Sequence, residues 1–118
     1  MVPTPHELYR LWLLELWQGK LDIAEELIAE EFVGHWPDRD IRGRRELVKL
    51  ISQTREAVED LTFQLEVGPI AEGDLIAARW TGCGRSAEGH NMRFFGNDLL
   101  RIYEGRFAEY WVASSVGS

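Results

Sequence analysis

The hydrophobic pattern of the chain changes its period once, close to Leu61, and this change constrains the fold more than any other feature. Before Leu61, apolar residues such as Leu47, Leu50 and Ile51 recur at the three- and four-residue spacing of amphipathic helices. From Leu61 onwards, apolar residues such as Phe63 alternate with polar ones, which is typical of a strand with one buried face. Helices followed by a run of strands predict an α+β fold.

The sequence Thr4-Pro5-His6-Glu7 predicts where the first helix begins. Thr4 is a preferred N-cap residue, Pro5 suits the first helical position, and Glu7 completes a capping box. Gly19 predicts the end of this helix. Because apolar residues occur on almost every side of it, we expect the first helix to be largely buried.

Two shorter helical regions and one extended region are predicted before the period changes. A second helix is expected over residues 21–28, and a short extended segment is expected over residues 32–37. A charged loop over residues 38–43 then precedes the third helix. The chain therefore supplies three helices in its N-terminal half.

The second half of the chain predicts an antiparallel meander. The sequence Glu72-Gly73-Asp74 is a hairpin turn signal, and a second tight turn is expected at Glu104-Gly105. The tail from Ser114 to Ser118 is expected to fray. A strongly twisted sheet can curl around the helices and leave an open end lined by both. The four predicted strands are Leu61 to Val67, Leu75 to Cys83, Met92 to Tyr103 and Phe107 to Val112.

Composition limits the classes of protein to which this chain can belong. The 118 residues fit one domain, residues 1–118, with 45% hydrophobic and 28% charged residues. A net charge of -7 argues against binding to nucleic acid or to an anionic membrane. The apolar cluster from Leu8 to Trp17 is too short to span a membrane, and no signal peptide is recognised. We therefore expect a cytoplasmic protein. A single cysteine, Cys83, excludes an internal disulfide.

Three stretches resemble the SnoaL-like polyketide cyclase family of the nuclear transport factor 2-like superfamily. They are "EFVGHWPDRDIRGRRELVKLI", "EGDLIAARWTGCG" and "NDLLRIYEGRFAEYW", and together they extend over most of the chain from Phe32 to Trp111. The resemblance implies a cone-shaped, curved antiparallel sheet wrapped around three N-terminal helices, a cystatin-like roll. It also implies a pocket inside the cone, with no cofactor.

Asp98 is the first candidate for a catalytic residue. Strand alternation places Gly96, Asp98 and Leu100 on one face, with Arg101 on the other. The resemblance implies that this acid faces the pocket, since ketosteroid isomerases, distant members of the superfamily, have an acid at a similar place. A carboxyl group in an apolar pocket would have a raised pKa and could act as a general acid or donate to an oxyanion. The alternative is an ion pair with Arg101, Arg93 or a partner chain.

His35 is the second candidate for a catalytic residue. Its ordinary pKa of about 6.5 permits proton transfer near neutral pH. In the family that the chain resembles, a polar residue at this point often faces the cavity, so His35 could assist Asp98. The alternative is a histidine that only makes hydrogen bonds. The three histidines lack the spacing of a metal site, so no metal is expected.

The remaining candidates are residues that would contact the substrate. Trp36 and Trp111 are expected to form apolar walls, and the resemblance implies that Trp111 closes the pocket. The resemblance implies that Ser115 occupies a position where the family often has an acid. Either Asp98 supplies the acid/base function, alone or with His35, or the pocket only binds. The predicted substrate-contacting residues are Trp12, Trp36, Phe94, Trp111 and Ser115.

The aromatic residues also predict a partner. Alternation assigns some of them, including one of Tyr110 and Trp111, to the outer face of the sheet, where a monomer would expose them. We therefore expect a homodimer formed through the sheet.

Three functions compete at this point. The first is cofactor-free acid/base chemistry on an apolar cyclic small molecule, polyketide- or terpenoid-like, by cyclisation or isomerisation. The second is epoxide hydrolysis like that of limonene epoxide hydrolases, a mechanism that needs two acids held by an arginine. The third is binding of a hydrophobic small molecule without catalysis.

Overall fold

The computed structural model describes residues 3–116 and begins with a helix that changes its winding. Helix α1 (Pro5–Leu11) starts in the predicted capping box, in which the Thr4 side chain accepts from the Glu7 backbone and the Glu7 side chain accepts from the Thr4 backbone. A π-helical turn, Trp12–Leu16, continues it, and the chain turns at Gly19, where φ is 110°. Among the described residues, no helix has the length and apolar character to cross a membrane.

The two remaining helices are of unequal length. A 3₁₀ turn, Leu21–Ile23, leads into the single turn of α2 (Ala24–Leu27), so the predicted second helix is shorter than expected. Helix α3 (Arg44–Ala57) is regular and buries Leu47 and Ile51 on its apolar stripe. The three helices are therefore present in the predicted order.

Six strands form one curved, open sheet that wraps around the helices. Their order across the sheet is β2-β1-β6-β5-β4-β3, and the pairing is antiparallel except between β1 and β6, which run parallel. The long strands β3 to β6 form the predicted meander. The strands are β1 (Ile28–Trp36), β2 (Arg39–Arg42), β3 (Glu59–Glu72), β4 (Leu75–Arg85), β5 (Asn91–Tyr103) and β6 (Arg106–Val116).

The structure corrects three details of the sequence prediction. The predicted extended segment at 32–37 is longer, since β1 begins at Ile28, and the loop predicted at 38–43 contains strand β2. Ser114 and Ser115 do not fray, because both pair with β5; the prediction for Gly117 and Ser118 falls outside the described residues. The pairing of β1 with β6 joins residues far apart in sequence, and no local pattern reports it. Strand β2 and the two serines pair instead with the strands that precede them, β1 and β5.

The core lies between the concave face of the sheet and the first helix. Leu8, Tyr9, Trp12 and Leu16 are buried there against strand residues such as Phe107. This packing explains why the first helix is apolar on almost every side. It also leaves room towards the open end of the cone, between α3 and the sheet, for a cavity.

Glycines on the concave face allow aromatic rings to lie flat against the sheet. A Cβ atom at Gly96 would lie 2.3 Å from the Trp80 ring, and one at Gly82 would lie 2.9 Å from Phe94. Because real Cβ contacts are never so short, each ring occupies space that a larger residue would fill. The glycines therefore set the orientation of the rings that line the cavity.

Candidate active site

A cavity of about 330 Å³ lies between the helices and the concave face of the sheet. We call it the inner cavity. Among the described residues, Asp98 is the only carboxyl group in its lining, and the hydroxyl groups of Thr54, Ser114 and Ser115 also line it. No Lys, Arg or His is found among its lining residues within the described chain. Its aromatic lining residues are Trp12, Trp17, Trp36, Phe63, Trp80, Phe94 and Tyr110.

Asp98 is buried, with 3% of its surface exposed, and its carboxylate accepts four hydrogen bonds. On Oδ1, the Tyr110 hydroxyl donates at 2.6 Å and the Trp80 indole at 2.9 Å. On Oδ2, the Tyr9 hydroxyl donates at 2.8 Å and the Trp12 indole at 3.4 Å. All four partners are neutral donors, so the carboxylate is held in a dry environment by dipoles rather than by a cation.

Burial controls the acidity of this group. Desolvation raises the pKa of Asp98 above its ordinary value, and the hydrogen bonds from Tyr110, Trp80, Tyr9 and Trp12 act in the opposite direction. The pKa values of Tyr9 and Tyr110 are raised as well. Burial is the largest cause, and the nearby charge of Asp98 is the second. Both phenols therefore stay protonated and continue to donate.

Strand register brings these groups together. Asp98 on β5 is opposite Ala78 on β4 and Val112 on β6, and its side chain follows the predicted alternation into the cavity. Trp80 is opposite Gly96, so its ring crosses the glycine and reaches the carboxylate two residues along. From the helix, Tyr9 and Trp12 are three residues apart and lie on the same face.

The structure brings together five of the residues selected from sequence. Trp12, Trp36, Phe94 and Ser115 line the inner cavity with Asp98. The alternative partner Arg101 lies on the opposite face of the sheet, where it forms ion pairs with the carboxylates of Asp74 and Glu109. The face assigned to Asp98 from alternation is therefore the one observed.

His35 and Trp111 are not in the inner cavity, which corrects the expectation that they would adjoin Asp98 there. On β1, Phe32 is buried on the concave side, and alternation directs His35 to the convex side. Trp111 also faces outwards, since it is opposite the exposed Leu99 on β5. Both residues lie on the other side of the sheet from the Asp98 carboxylate.

On the convex face, His35 belongs to a polar group that we call the outer cluster: His35, Asp40, Arg101, Glu109 and Trp111. The His35 Nε2 atom is 2.7 Å from Glu109 Oε2, and Nδ1 is 2.9 Å from Asp40 Oδ1. The ring stacks on Trp111 with centroids 5.6 Å apart. The hydrogen bond to Glu109, and then the one to Asp40, raise the pKa of His35.

Sequence reasoning missed three donors to Asp98, namely Tyr9, Trp80 and Tyr110. A signal for two of them was present, because alternation places Trp80 and Tyr110 on the face that carries Asp98. Buried tyrosine and tryptophan side chains usually need a hydrogen-bond partner, and a lone buried carboxylate is an obvious one. Tyr9 carries no comparable signal, since its contact depends on how the helix packs on the sheet.

The chemistry available here is proton transfer in an apolar environment. The inner cavity combines one carboxyl group, neutral hydrogen-bond donors and aromatic walls. Within residues 3–116, no group of three or more His, Cys, Asp or Glu side chains is arranged to hold a metal ion.

A curved open sheet around three helices is the fold of the nuclear transport factor 2-like class. Within that class, the sequence model of the SnoaL-like polyketide cyclases matches residues 7–115, and the chain belongs to this family. A comparison with curated proteins found no match.

Solved structures resemble the whole chain. IdmH from Streptomyces antibioticus is 21% identical, with a TM-score of 0.84 over 96% of this chain and 93% of that one. A SnoaL-like protein from Jannaschia sp. CCS1 is 15% identical, with a TM-score of 0.83 over 98% and 91%. TsrD from Streptomyces laurentii is 25% identical, with a TM-score of 0.79 over 92% and 85%.

Proposed function

We propose that this protein is a cofactor-free acid/base enzyme that acts on an apolar cyclic small molecule, polyketide- or terpenoid-like, inside the inner cavity. Membership of the family supports a small-molecule cyclase or isomerase. The observation that carries the proposal is the single buried carboxyl group of Asp98 among aromatic walls. A buried acid with a shifted pKa in a cavity is a frequent mark of a catalytic group.

In the proposed reaction, Asp98 accepts a proton from a carbon next to a carbonyl group and returns it to another atom of the substrate. Burial raises the pKa of Asp98, which makes the carboxylate a stronger base than a solvated aspartate. The rings of Trp12, Trp36 and Phe94 would hold a flat substrate by stacking. Enolisation of this kind is a step common to isomerisation and to aldol cyclisation.

The experiment follows exchange of the protons next to the carbonyl group of a neutral planar ketone, 2-tetralone, in deuterated water by NMR. We expect the protein to accelerate exchange and Asp98→Asn to lose about 10²–10⁴-fold of the added rate, the usual contribution of a general base. His35→Gln is the control and keeps the rate, because His35 lies on the convex face. Equal loss in both variants, or no acceleration by the wild type, would reject the proposal.

The best-supported alternative is binding without catalysis. All four hydrogen bonds to Asp98 come from protein donors, so a substrate proton would have to compete with them. Ser115 also lines the cavity where the family often has an acid. Two results together would favour this function: the Asp98→Asn variant still binds the ligand, and the wild type does not accelerate exchange of the 2-tetralone protons.

Epoxide hydrolysis has less support. That mechanism needs two acids held by an arginine, whereas the lining of the inner cavity among the described residues offers Asp98 and no arginine. The arginine nearest in sequence, Arg101, forms its ion pairs on the convex face.

We further propose that the protein is a homodimer formed through the convex face of the sheet. Apolar side chains are exposed there, among them Leu99 at 38%. Exposed apolar surface on a sheet is typical of an interface. Sedimentation of a dilution series should show a dimer for the wild type and for Glu88→Arg in the β4–β5 loop, and a monomer for Leu99→Arg. A monomeric wild type at all concentrations would reject this interface.

A further inference from the structure

We propose that the inner cavity recognises its ligand through a positively charged tertiary or quaternary ammonium group. This inference rests on the proposed function in using the same cavity, and it adds a substrate class: small organic amines rather than neutral hydrocarbons or ketones alone. Three properties of the cavity carry it, namely the arrangement of its aromatic walls, its charge and its size.

The aromatic walls form a closed circuit. Neighbouring rings meet edge to face, with centroids 4.8–6.2 Å apart and interplanar angles of 60–82°. Asp98 closes the circuit, because it accepts hydrogen bonds from the rings at both ends. Rings set nearly perpendicular to one another are the arrangement found in aromatic cages, which bind quaternary ammonium groups through the negative faces of the rings. In order, the circuit is Tyr110, Trp12, Trp17, Phe63, Trp80 and Asp98.

The charge of the cavity is unbalanced. The Asp98 carboxylate is held by two phenols and two indoles, all of them neutral. No basic side chain is among the residues lining the cavity in the described part of the chain. A buried anion without a cation is costly, so a ligand that brings a positive charge gains more here than in water. The same field disfavours anionic ligands.

The size of the cavity fits a compact head group. A volume of about 330 Å³ is near the lower end of the range for small-molecule pockets. The cavity opens towards Ser114 and Ser115, both of which are exposed. A trialkylammonium group can therefore occupy the aromatic circuit while the rest of the molecule extends towards the opening.

The test compares two molecules of the same shape that differ in charge. Choline has a quaternary nitrogen, and 3,3-dimethylbutan-1-ol has a quaternary carbon in its place. Isothermal titration calorimetry measures the dissociation constant of each molecule. We expect choline to bind at least about tenfold more tightly, as a desolvated cation–π site predicts. Equal affinity, tighter binding of the neutral alcohol, or no binding of either molecule would overturn the inference.

Two variants and one control locate the effect. Asp98→Asn should bring the ratio of the two affinities close to one. Because this variant can also disturb folding, Trp36→Leu provides a second test: Trp36 packs edge to face on Tyr110 and makes no hydrogen bond to Asp98. Its loss should reduce choline affinity severalfold and leave the alcohol less affected. Trp111→Leu, on the convex face, should leave both affinities unchanged.

The outcomes separate this inference from the proposed function. Acceleration of 2-tetralone exchange without a preference for choline would overturn the ammonium site and leave the enzyme proposal intact. A preference for choline without acceleration of 2-tetralone exchange would support the ammonium site and reject the enzyme proposal. Bound choline should lower the pKa of Asp98, whereas the neutral alcohol should not. Carboxyl-carbon NMR measures this pKa directly.

Discussion

The two faces of the sheet carry polar groups that differ in composition and in surroundings. On the concave face, Asp98 is 3% exposed and is held by neutral donors. On the convex face, the His35 side chain is 31% exposed and lies between two carboxylates. Both groups have raised pKa values, but for different reasons: burial is the main cause for Asp98, and a hydrogen bond to Glu109 is the main cause for His35.

This difference shows that a hydrogen-bonded cluster does not by itself mark a catalytic centre. Adjacent positions on β6 contribute to both groups, since alternation directs Tyr110 inwards to Asp98 and Trp111 outwards. The outer cluster is partly exposed, so water weakens its electrostatic interactions, whereas Asp98 is buried. The following substitutions test this contrast in order of expected effect.

The largest effect is expected from Asp98→Leu, which keeps a similar volume and removes the acceptor. Four buried donors lose their partner, so the free energy of unfolding should fall by about 3–5 kcal/mol. Chemical denaturation measures it, with Asp40→Leu in the outer cluster as the matched control, for which about 1 kcal/mol or less is expected. Similar losses for the two variants would break the contrast between the faces.

Gly96→Ala should have the next largest effect. The new Cβ atom would lie 2.3 Å from the Trp80 ring, so the indole has to move away from the strand and from Asp98. Overpacking of this kind costs about 1–3 kcal/mol. Gly82→Ala, with its shortest contact at 2.9 Å, should cost less. Loss of the low-field indole N–H signal of Trp80 in the Gly96 variant would report the broken hydrogen bond, and an unchanged signal would argue against this role.

The raised pKa of Asp98 predicts how the free energy of unfolding depends on pH. Because the pKa of Asp98 is raised in the folded protein, the native state holds the proton more tightly than the unfolded chain does. Its contribution to the free energy of unfolding is therefore complete below the unfolded pKa of about 3.9 and is lost as pH rises through the folded pKa.

Tyr110→Phe should raise the pKa of Asp98 further, because it removes the hydrogen bond that most lowers this pKa. Carboxyl-carbon NMR measures the pKa, and the difference between the stability curves of wild type and Asp98→Asn measures the slope. A folded pKa at or below about 3.9 would contradict the role of burial.

The smallest effect is expected in the outer cluster. His35→Gln should change the free energy of unfolding by less than about 1 kcal/mol, and added salt should reduce the difference. Since the pKa of His35 is raised, its contribution is complete below about pH 6.5 and disappears as pH rises through the folded value. Denaturation at several pH values checks this, and a larger loss at high pH than at low pH would contradict it.

Much of the fold could be predicted because local signals in the sequence agree. The capping box at Thr4, the turn at Gly73 and the alternation around Asp98 each depend on neighbouring residues, and each is present in the structure. The family resemblance supplied the curvature of the sheet. Strand β1 was predicted too short, and its partner strand β6 is distant in sequence. Strand β2 was missed although it pairs with the neighbouring β1, because the charged stretch Arg39–Arg42 shows no alternation.

Alternation was enough to place some of the candidate residues, whereas the positions of others depend on three-dimensional packing. Alternation assigned Asp98 to the face observed. His35 was placed beside it from the family resemblance, in which a polar residue at this point often faces the cavity. Tyr9 was missed because nothing in the sequence states how the first helix is rotated against the sheet. The ring of donors around Asp98 exists only in the packed structure.

The position of β6 also has a consequence for the order of folding. This strand lies between β1 and β5, so β1 and β2 have no place in the sheet until residues 106–116 have been synthesised. Parallel pairing of β1 with β6 closes a loop of more than 70 residues, and contacts of such sequence separation slow folding. Until β6 is made, the edge of β1 that pairs with it has no partner, and β6 then completes the wall of the cavity.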